Sequence, residues 1–382
     1  MILERASGNA VYQLDLWMGG LEHCRQLLSA AARAADLILV EGVMGLHDGR
    51  PSSAELAATL GIAVAVVIDG NAMAETFGAV ALGLREYRAG LGFHGVLANR
   101  IGGAHHAAML ADSLTAFSPP LRFLGALPDE AALRIPDRHL GLVQPGEIAD
   151  LDARIDRAAD AIAPPLEFGE LPHFTMPAET VGEPPRLLEG VRVAVARDAA
   201  LSFIYPANLD VLESLGARTL FFSPLRDARL PEADAVYLPG GYPELHAERL
   251  AANRALHAAL RAHAGAGKPL LAECGGMMLL LERLIDAGGR AHEMVGLLPG
   301  ETAMQPRLQA LALQSVRFEE GELRGHSFHH SRLATPLVPV AYGRTQRGAV
   351  GEAVFQSGRL TASYVHFYWP SNPRMLARLL SP

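Results

Sequence analysis

The chain has 382 residues, half of them hydrophobic, with 19% charged and 6% aromatic, and it carries a formal net charge of −8 at pH 7. That length exceeds what one hydrophobic core usually serves, so two domains are expected. Asp plus Glu outnumber Lys plus Arg by 41 to 33, a balance that excludes a general polyanion binder and, with it, nucleic acid as a partner.

In chain order, ADLILVEG at 35–42 is a continuous apolar run ending in an acid and a glycine, the pattern of a parallel strand buried on both faces. IAVAVVIDG at 62–70 and FHGVLANR at 93–100 repeat it, with alanine-rich helical stretches between them. Residues 1–163 therefore read as a doubly wound parallel α/β sheet. The six prolines of 163–188 make a helix or central strand improbable, and 164–188 reads as a linker. Alternation resumes over 189–382 with VRVAVA at 191–196, RTLFF at 218–222, DAVYLPG at 234–240 and KPLLAEC at 268–274, separated by helical stretches such as 244–264. After about residue 305 the pattern becomes short and β-like, ending in LTASYVHFYWPSNP and a short terminal helix. No solenoid repeat is present.

The two cysteines, Cys24 and Cys274, lie far apart without CxxC or Cys/His ligand spacing, which argues against a disulfide framework and a structural zinc site and fits a reducing compartment. No apolar run approaches the roughly 20 residues that span a bilayer, and MILERASGNA lacks the layout of a signal peptide. A soluble cytoplasmic protein with no membrane partner is expected.

Cys274 ends a strand pattern, and Gly275-Gly276 allow a sharp turn into the helical MMLLLERL. Such an elbow lifts the sulfur to the sheet edge over a helix N-terminus, where the thiolate should be favoured below its free pKa of about 8.5. Taken alone, the residue reads as well as a small buried hydrophobe. Two features favour a nucleophile. LPGGYPE at 238–244 supplies Gly240 and Gly241, whose amides could face an oxyanion, and the last strand carries His366, a base for the thiol.

AECGG, PGGYPE and the late histidine resemble the glutaminase domain of class I, triad-type glutamine amidotransferases. ARDAALSFIYPANLD at 196–210, FFSPL at 221–225, YLPGGYPELHAERLAAN at 237–253, GHSFHHS at 325–331 and RHLGL at 138–142 resemble one branch, the cobyrinic (or hydrogenobyrinic) acid a,c-diamide synthase family, over essentially the whole chain. The resemblance implies a dethiobiotin-synthetase-like P-loop NTPase domain followed by the amidotransferase domain. It implies that Cys274 releases ammonia from L-glutamine, with Gly240 and Gly241 lining the oxyanion hole, for ATP-dependent amidation of the a and c acetates of a corrinoid polycarboxylate in cobalamin biosynthesis. In that scheme Glu41 holds Mg²⁺, Gly42 and Asn99 contact nucleotide, and Asp48 and Asp69 lie by the acceptor, with Gly45 and Gly49 in the same loop and Arg100 or Arg138 as basic contacts. A homodimer is a candidate assembly.

The chain also departs from the family. His366 is followed by Phe367 and Tyr368, where many triad enzymes have His-x-Glu, and Ser327 stands where an acid is expected. His326, His329 and His330 read as a solvated or substrate-facing turn, with a metal cluster as the alternative. No GxxxxGK[ST] phosphate loop occurs, and QLDLWM, which follows that loop in the family, already stands at 13–18. The expectation is a late-starting first domain with weakened ATP binding and ADLILVEG lacking a neighbour. Alternative functions are amidation of another tetrapyrrole, such as a nickel-sirohydrochlorin, or a non-catalytic remnant.

Overall fold

The structure is a computed structural model describing residues 2–136, 143–162, 185–319 and 321–382. Most of the expected linker at 164–188, together with Arg138, lies outside the described residues. The chain forms two compact units, Met1–Asn9 with Arg25–Glu179, and Ala10–Cys24 with Thr180–Pro382. Residues 10–24, expected in the first domain, thus belong to the second. Met18 and Trp17 pack there against Ala207, Tyr205, Leu313 and Tyr368, and the Arg324 guanidinium lies over the Trp17 ring while donating to its carbonyl at 2.8 Å. Among the described residues no helix is long and apolar enough to cross a membrane.

The first unit holds a parallel sheet of β1 (Val64–Asp69), β2 (Phe93–Ile101) and β3 (Phe123–Pro128), in the order β1-β2-β3. Val66, Ile68, Val96 and Ala98 form its core with Phe77 and Leu110 of the flanking helices Glu75–Glu86 and Ala104–Ser113. ADLILVEG is not a strand of this sheet, contrary to its sequence pattern. It runs without ladder pairing, and Leu39 is 77% exposed and the adjoining Val43 89%. A strand buried on both faces needs neighbours to take its N–H and C=O groups and cover its side chains, and none of β1–β3 pairs with it.

The second unit is built on a ten-stranded sheet. Its strands are β4 (Arg192–Ala196), β5 (Arg218–Phe222), β6 (Ala235–Leu238), β7 (Leu270–Glu273), β11 (Ala310–Phe318), β12 (Gly321–His329), β14 (Ala341–Thr345), β15 (Val350–Ser357), β16 (Leu360–Ser363) and β17 (His366–Tyr368). A smaller sheet joins β8 (Leu281–Ile285), β9 (Ala291–Glu293), β10 (Leu298–Met304) and β13 (Ser331–Ala334). In the large sheet the order is β17-β12-β11-β14-β15-β16-β7-β6-β4-β5. The run from β16 to β5 is parallel, and the remainder is antiparallel. Apolar runs such as VAVA and AVYL are buried on both faces because each face carries its own core. The helix expected over 244–264 is broken in two, Ala247–Ala252 and Arg254–Gly265. Asn253 interrupts it, its side chain accepting from the Leu256 amide as the cap of the second helix.

The exposure of residues 35–43 sets an expected outcome. Leu39→Ser and Val43→Ser should each change unfolding free energy by less than about 0.5 kcal/mol. A loss of about 2 kcal/mol or more, the scale of a buried aliphatic side chain, would place these residues in a core instead.

Candidate active site

β6 and β7 are parallel neighbours, with Leu238 paired to Ala272, so the chain leaves both at the same edge of the sheet. After β6 comes Pro239-Gly240-Gly241, and after β7 comes Cys274, whose backbone is held at φ 45° and ψ −106° before the helix Gly275–Leu280. That left-handed φ is costly for a residue with a Cβ and marks an imposed elbow. It is fixed from the other side by β16, because the Cys274 N–H donates to the Ser363 carbonyl at 2.7 Å. A Cβ on Gly275 would lie 2.9 Å from the Gly241 nitrogen, so the Gly241 amide abuts the elbow.

The loop carrying Gly240 and Gly241 is itself held. Phe203 N–H donates to the Gly240 carbonyl at 3.0 Å, and the Ala200 carbonyl occupies the place of a Gly241 Cβ. Asp198 supports this contact by accepting from Ala200 N–H, Ser223 Oγ and Leu225 N–H. The stretches ARDAALSFIY and FFSPL thus brace the glycine pair.

His366 opens β17, buried at 3% exposure, and its ring fills the space where a Gly240 Cβ would sit. The structure therefore gathers Gly240 and His366, and Gly241 and the Cys274 elbow, into one neighbourhood. His326 lies opposite His366 in the β12–β17 ladder. The two imidazoles stack with centroids 4.9 Å apart and planes 16° from parallel, and the Tyr205 hydroxyl shares a 2.7 Å hydrogen bond with His326 Nδ1. Tyr368, two residues after His366, makes its 2.7 Å bond to His23 Nε2 instead.

The charge state differs from the sequence expectation. Burial, then the Glu244 carboxylate, push the Cys274 thiol well above its ordinary value, and only the Gly275 N–H pulls it down. A six-residue helix behind a buried sulfur does not outweigh desolvation. Burial likewise pushes His366 well below the ordinary imidazole value, and His326 down to about 4. The pair rests as thiol and neutral imidazole.

GHSFHHS is largely strand rather than a turn: residues 325–329 lie in β12 and Ser331 opens β13. Among the described residues no group of three or more His, Cys, Asp or Glu is arranged to hold a metal ion. His329 stacks on Tyr364 at 3.8 Å and pairs with Glu352 at 3.2 Å. Ser327, where an acid was expected, is buried and accepts from Gln314 Nε2 at 2.7 Å.

Glu273, beside the nucleophile, is buried at 1% exposure and accepts from the Tyr237 hydroxyl at 2.8 Å. Burial raises its carboxyl to about 8. Neither Glu273 nor the Tyr205–His326 contact was found from sequence. No periodicity links residues 121 apart such as Tyr205 and His326, although an acid inside an apolar strand ending was a visible anomaly.

In the first unit, β1 and β2 bring Asp69 level with Asn99. Arg100 donates to Asp69 at 2.9 Å and lies 4.0 Å from Asp129, so its charge is matched by protein carboxylates. Glu41, Gly42 and Asp48 are exposed in the loop before the helix Ser53–Leu60. A Cβ on Gly42 would meet Ser53 Oγ at 3.0 Å. Glu41 offers one exposed carboxylate, which fits Mg²⁺ only where phosphate oxygens and water complete the shell.

Residues 192–373 match the model of the CobB/CobQ-like glutamine amidotransferase domain, and the second unit is a domain of that class. Over 383 residues the chain is 58% identical to a hydrogenobyrinate a,c-diamide synthase of Stutzerimonas stutzeri, covering 100% of this chain and 88% of that protein. It is 56% identical to the Pseudomonas aeruginosa protein of the same name, covering 100% and 87%. A cobyrinate a,c-diamide synthase of Herminiimonas arsenicoxydans is 48% identical over 100% and 87%. The chain belongs to the cobyrinate/hydrogenobyrinate a,c-diamide synthase family, amide-forming ligases that use glutamine.

Glu273 gives a pH signature. Its proton is held to about pH 8 in the fold against an ordinary value of 4.5. The resulting stability is fully present below the lower value and lost as pH rises through the upper one, with a slope of at most about 1.4 kcal/mol per unit. Chemical denaturation across this window should show Glu273→Gln losing less stability than the parent as pH rises. Parallel curves would show that the carboxyl ionises freely in the fold.

Proposed function

We propose that Cys274 and His366 form a glutaminase dyad that supplies ammonia for ATP-dependent amidation of the a and c acetate carboxylates of cobyrinic or hydrogenobyrinic acid. The observation that carries this reading is the packing of the His366 ring onto Gly240 while the next residue, Gly241, abuts the turn that presents Cys274. Nucleophile, base and main-chain donors then share one sheet edge.

In this mechanism glutamine binds with its side-chain amide over the sulfur. His366 takes the thiol proton as Sγ attacks the amide carbon, and the charge on the amide oxygen falls toward the Gly240–Gly241 main chain. The imidazolium returns the proton to the nitrogen, the C–N bond breaks, and ammonia leaves a γ-glutamyl thioester. Water, deprotonated by the same imidazole, attacks the thioester carbon. Glutamate departs, and the thiol regains its proton. A neutral resting pair suits this sequence, because His366 begins as a proton acceptor.

The acceptor carboxylate is made electrophilic by attack of its oxygen on the γ-phosphorus of ATP, with ADP leaving. Ammonia then displaces phosphate from the acyl phosphate to give the amide. Support for this half is the resemblance of Glu41, Gly42 and Asn99 to nucleotide and metal positions, and the relatives' names, which give the acceptor as cobyrinate or hydrogenobyrinate. Glu41 would offer its carboxylate to Mg²⁺, which when bound neutralises phosphate charge. Asp48 and Asp69 are proposed at the acceptor side, and a homodimer as the assembly.

The test compares the parent chain with Cys274→Ala, using glutamine or ammonium as nitrogen donor. Glutamine-dependent amidation should fall by about 10³-fold or more while ammonium-dependent amidation persists. Retention of glutamine-dependent turnover would remove Cys274 from the chemistry.

A further inference from the structure

A base that accepts and returns a proton between sulfur and nitrogen must hold one ring orientation, since a small misplacement costs rate. His366 has no carboxylate two residues on: Tyr368 stands there, and its hydroxyl is engaged by His23. Two features hold the ring. Gly240 meets it directly, and no side chain could intervene. His326 lies parallel to it at 4.9 Å, placed opposite by the β12–β17 register.

The His326 ring is held in turn. Its Nδ1 is bonded at 2.7 Å to the Tyr205 hydroxyl, and Tyr205 packs edge-on against Tyr368 at 5.1 Å with planes 88° apart. Tyr205 lies on the stretch that also carries Phe203, whose amide bonds to Gly240. One short segment, residues 203–205, therefore braces both Gly240 and His326. We propose that His326, tethered by Tyr205, is the positioning residue of the His366 base, fixing its ring plane by stacking where a carboxylate is lacking. Burial holds His326 at about 4, so it stays neutral at neutral pH, while its proximity adds to the burial that lowers His366. His326 touches neither the sulfur nor the glutamine amide in this role; it acts through His366.

The inference rests on the Cys274–His366 reading. The full chain should be assayed for glutaminase kcat and KM, ammonium-dependent amidation and Tm, as parent, His326→Ala, His326→Phe and Tyr205→Phe, with Cys274→Ala and His366→Ala as references. His326→Ala should lower glutaminase kcat by roughly 10²-fold with KM and ammonium-dependent turnover unchanged. His326→Phe, which keeps a flat ring in the stack, should recover most of that loss, and Tyr205→Phe should show a smaller fall in kcat alone. Parental kcat in His326→Ala, no recovery in His326→Phe, or a matching loss of ammonium-dependent turnover would each overturn the proposal. Should His326→Ala not fold, Tyr205→Phe decides: lowered kcat at constant KM supports the tether, and parental kcat overturns it. If His366→Ala or Cys274→Ala keeps glutaminase activity, the dyad itself falls; if both are inactive and His326→Ala is not impaired, only the positioning role falls.

Discussion

Close packing of main chain at the carboxyl edge of β6 and β7 is the constraint on which the site depends. At Gly240 the ring of His366 takes the room of a side chain, at Gly241 the Ala200 carbonyl does, and at Gly275 the neighbour is the Gly241 nitrogen. Cores are dense enough that such contacts leave no slack for an added methyl group. Sheet order makes the convergence possible: β6, β7 and β16 are adjacent and parallel, so their ends supply the glycine loop, the elbow and its Ser363 anchor side by side. β17 reaches the same place from the far end of the sheet as an antiparallel partner of β12.

The same packing sets the electrostatics. A buried thiol beside acidic neighbours and a buried imidazole both stay neutral at rest. Charge is then created only as sulfur attacks, when the Gly275 amide and the glycine loop can meet it, which limits adventitious oxidation or alkylation of a standing thiolate. Glu273, one residue away, obeys the same rule: in the core it keeps its proton and accepts from the Tyr237 hydroxyl rather than adding charge behind the nucleophile.

Legibility in the sequence follows how local each determinant is. The runs VRVAVA, DAVYLPG and KPLLAEC mark β4, β6 and β7 because a strand buried on both faces needs only its own apolar residues to be recognised. ADLILVEG has the same composition yet pairs with nothing described, since ladder formation depends on a neighbour that composition does not report. The charge state of the Cys274 sulfur departs from its sequence pattern because the helix N-terminus is local in sequence, whereas the desolvating shell comes from the whole sheet. Trp17 and Met18 belong to the second unit through contacts with Arg324, Ala207 and Tyr368, separations that no pattern reports. The His326–His366 stack is likewise a property of register between two distant strands.

The most direct measurement is acid-quench mass spectrometry of the full chain mixed with glutamine, followed by peptide mapping. The dyad predicts a γ-glutamyl adduct on the peptide bearing Cys274, accumulating early in turnover and absent from Cys274→Ala. An adduct on Cys24 or another residue, or amide transfer with no covalent intermediate under conditions that preserve thioesters, would contradict it.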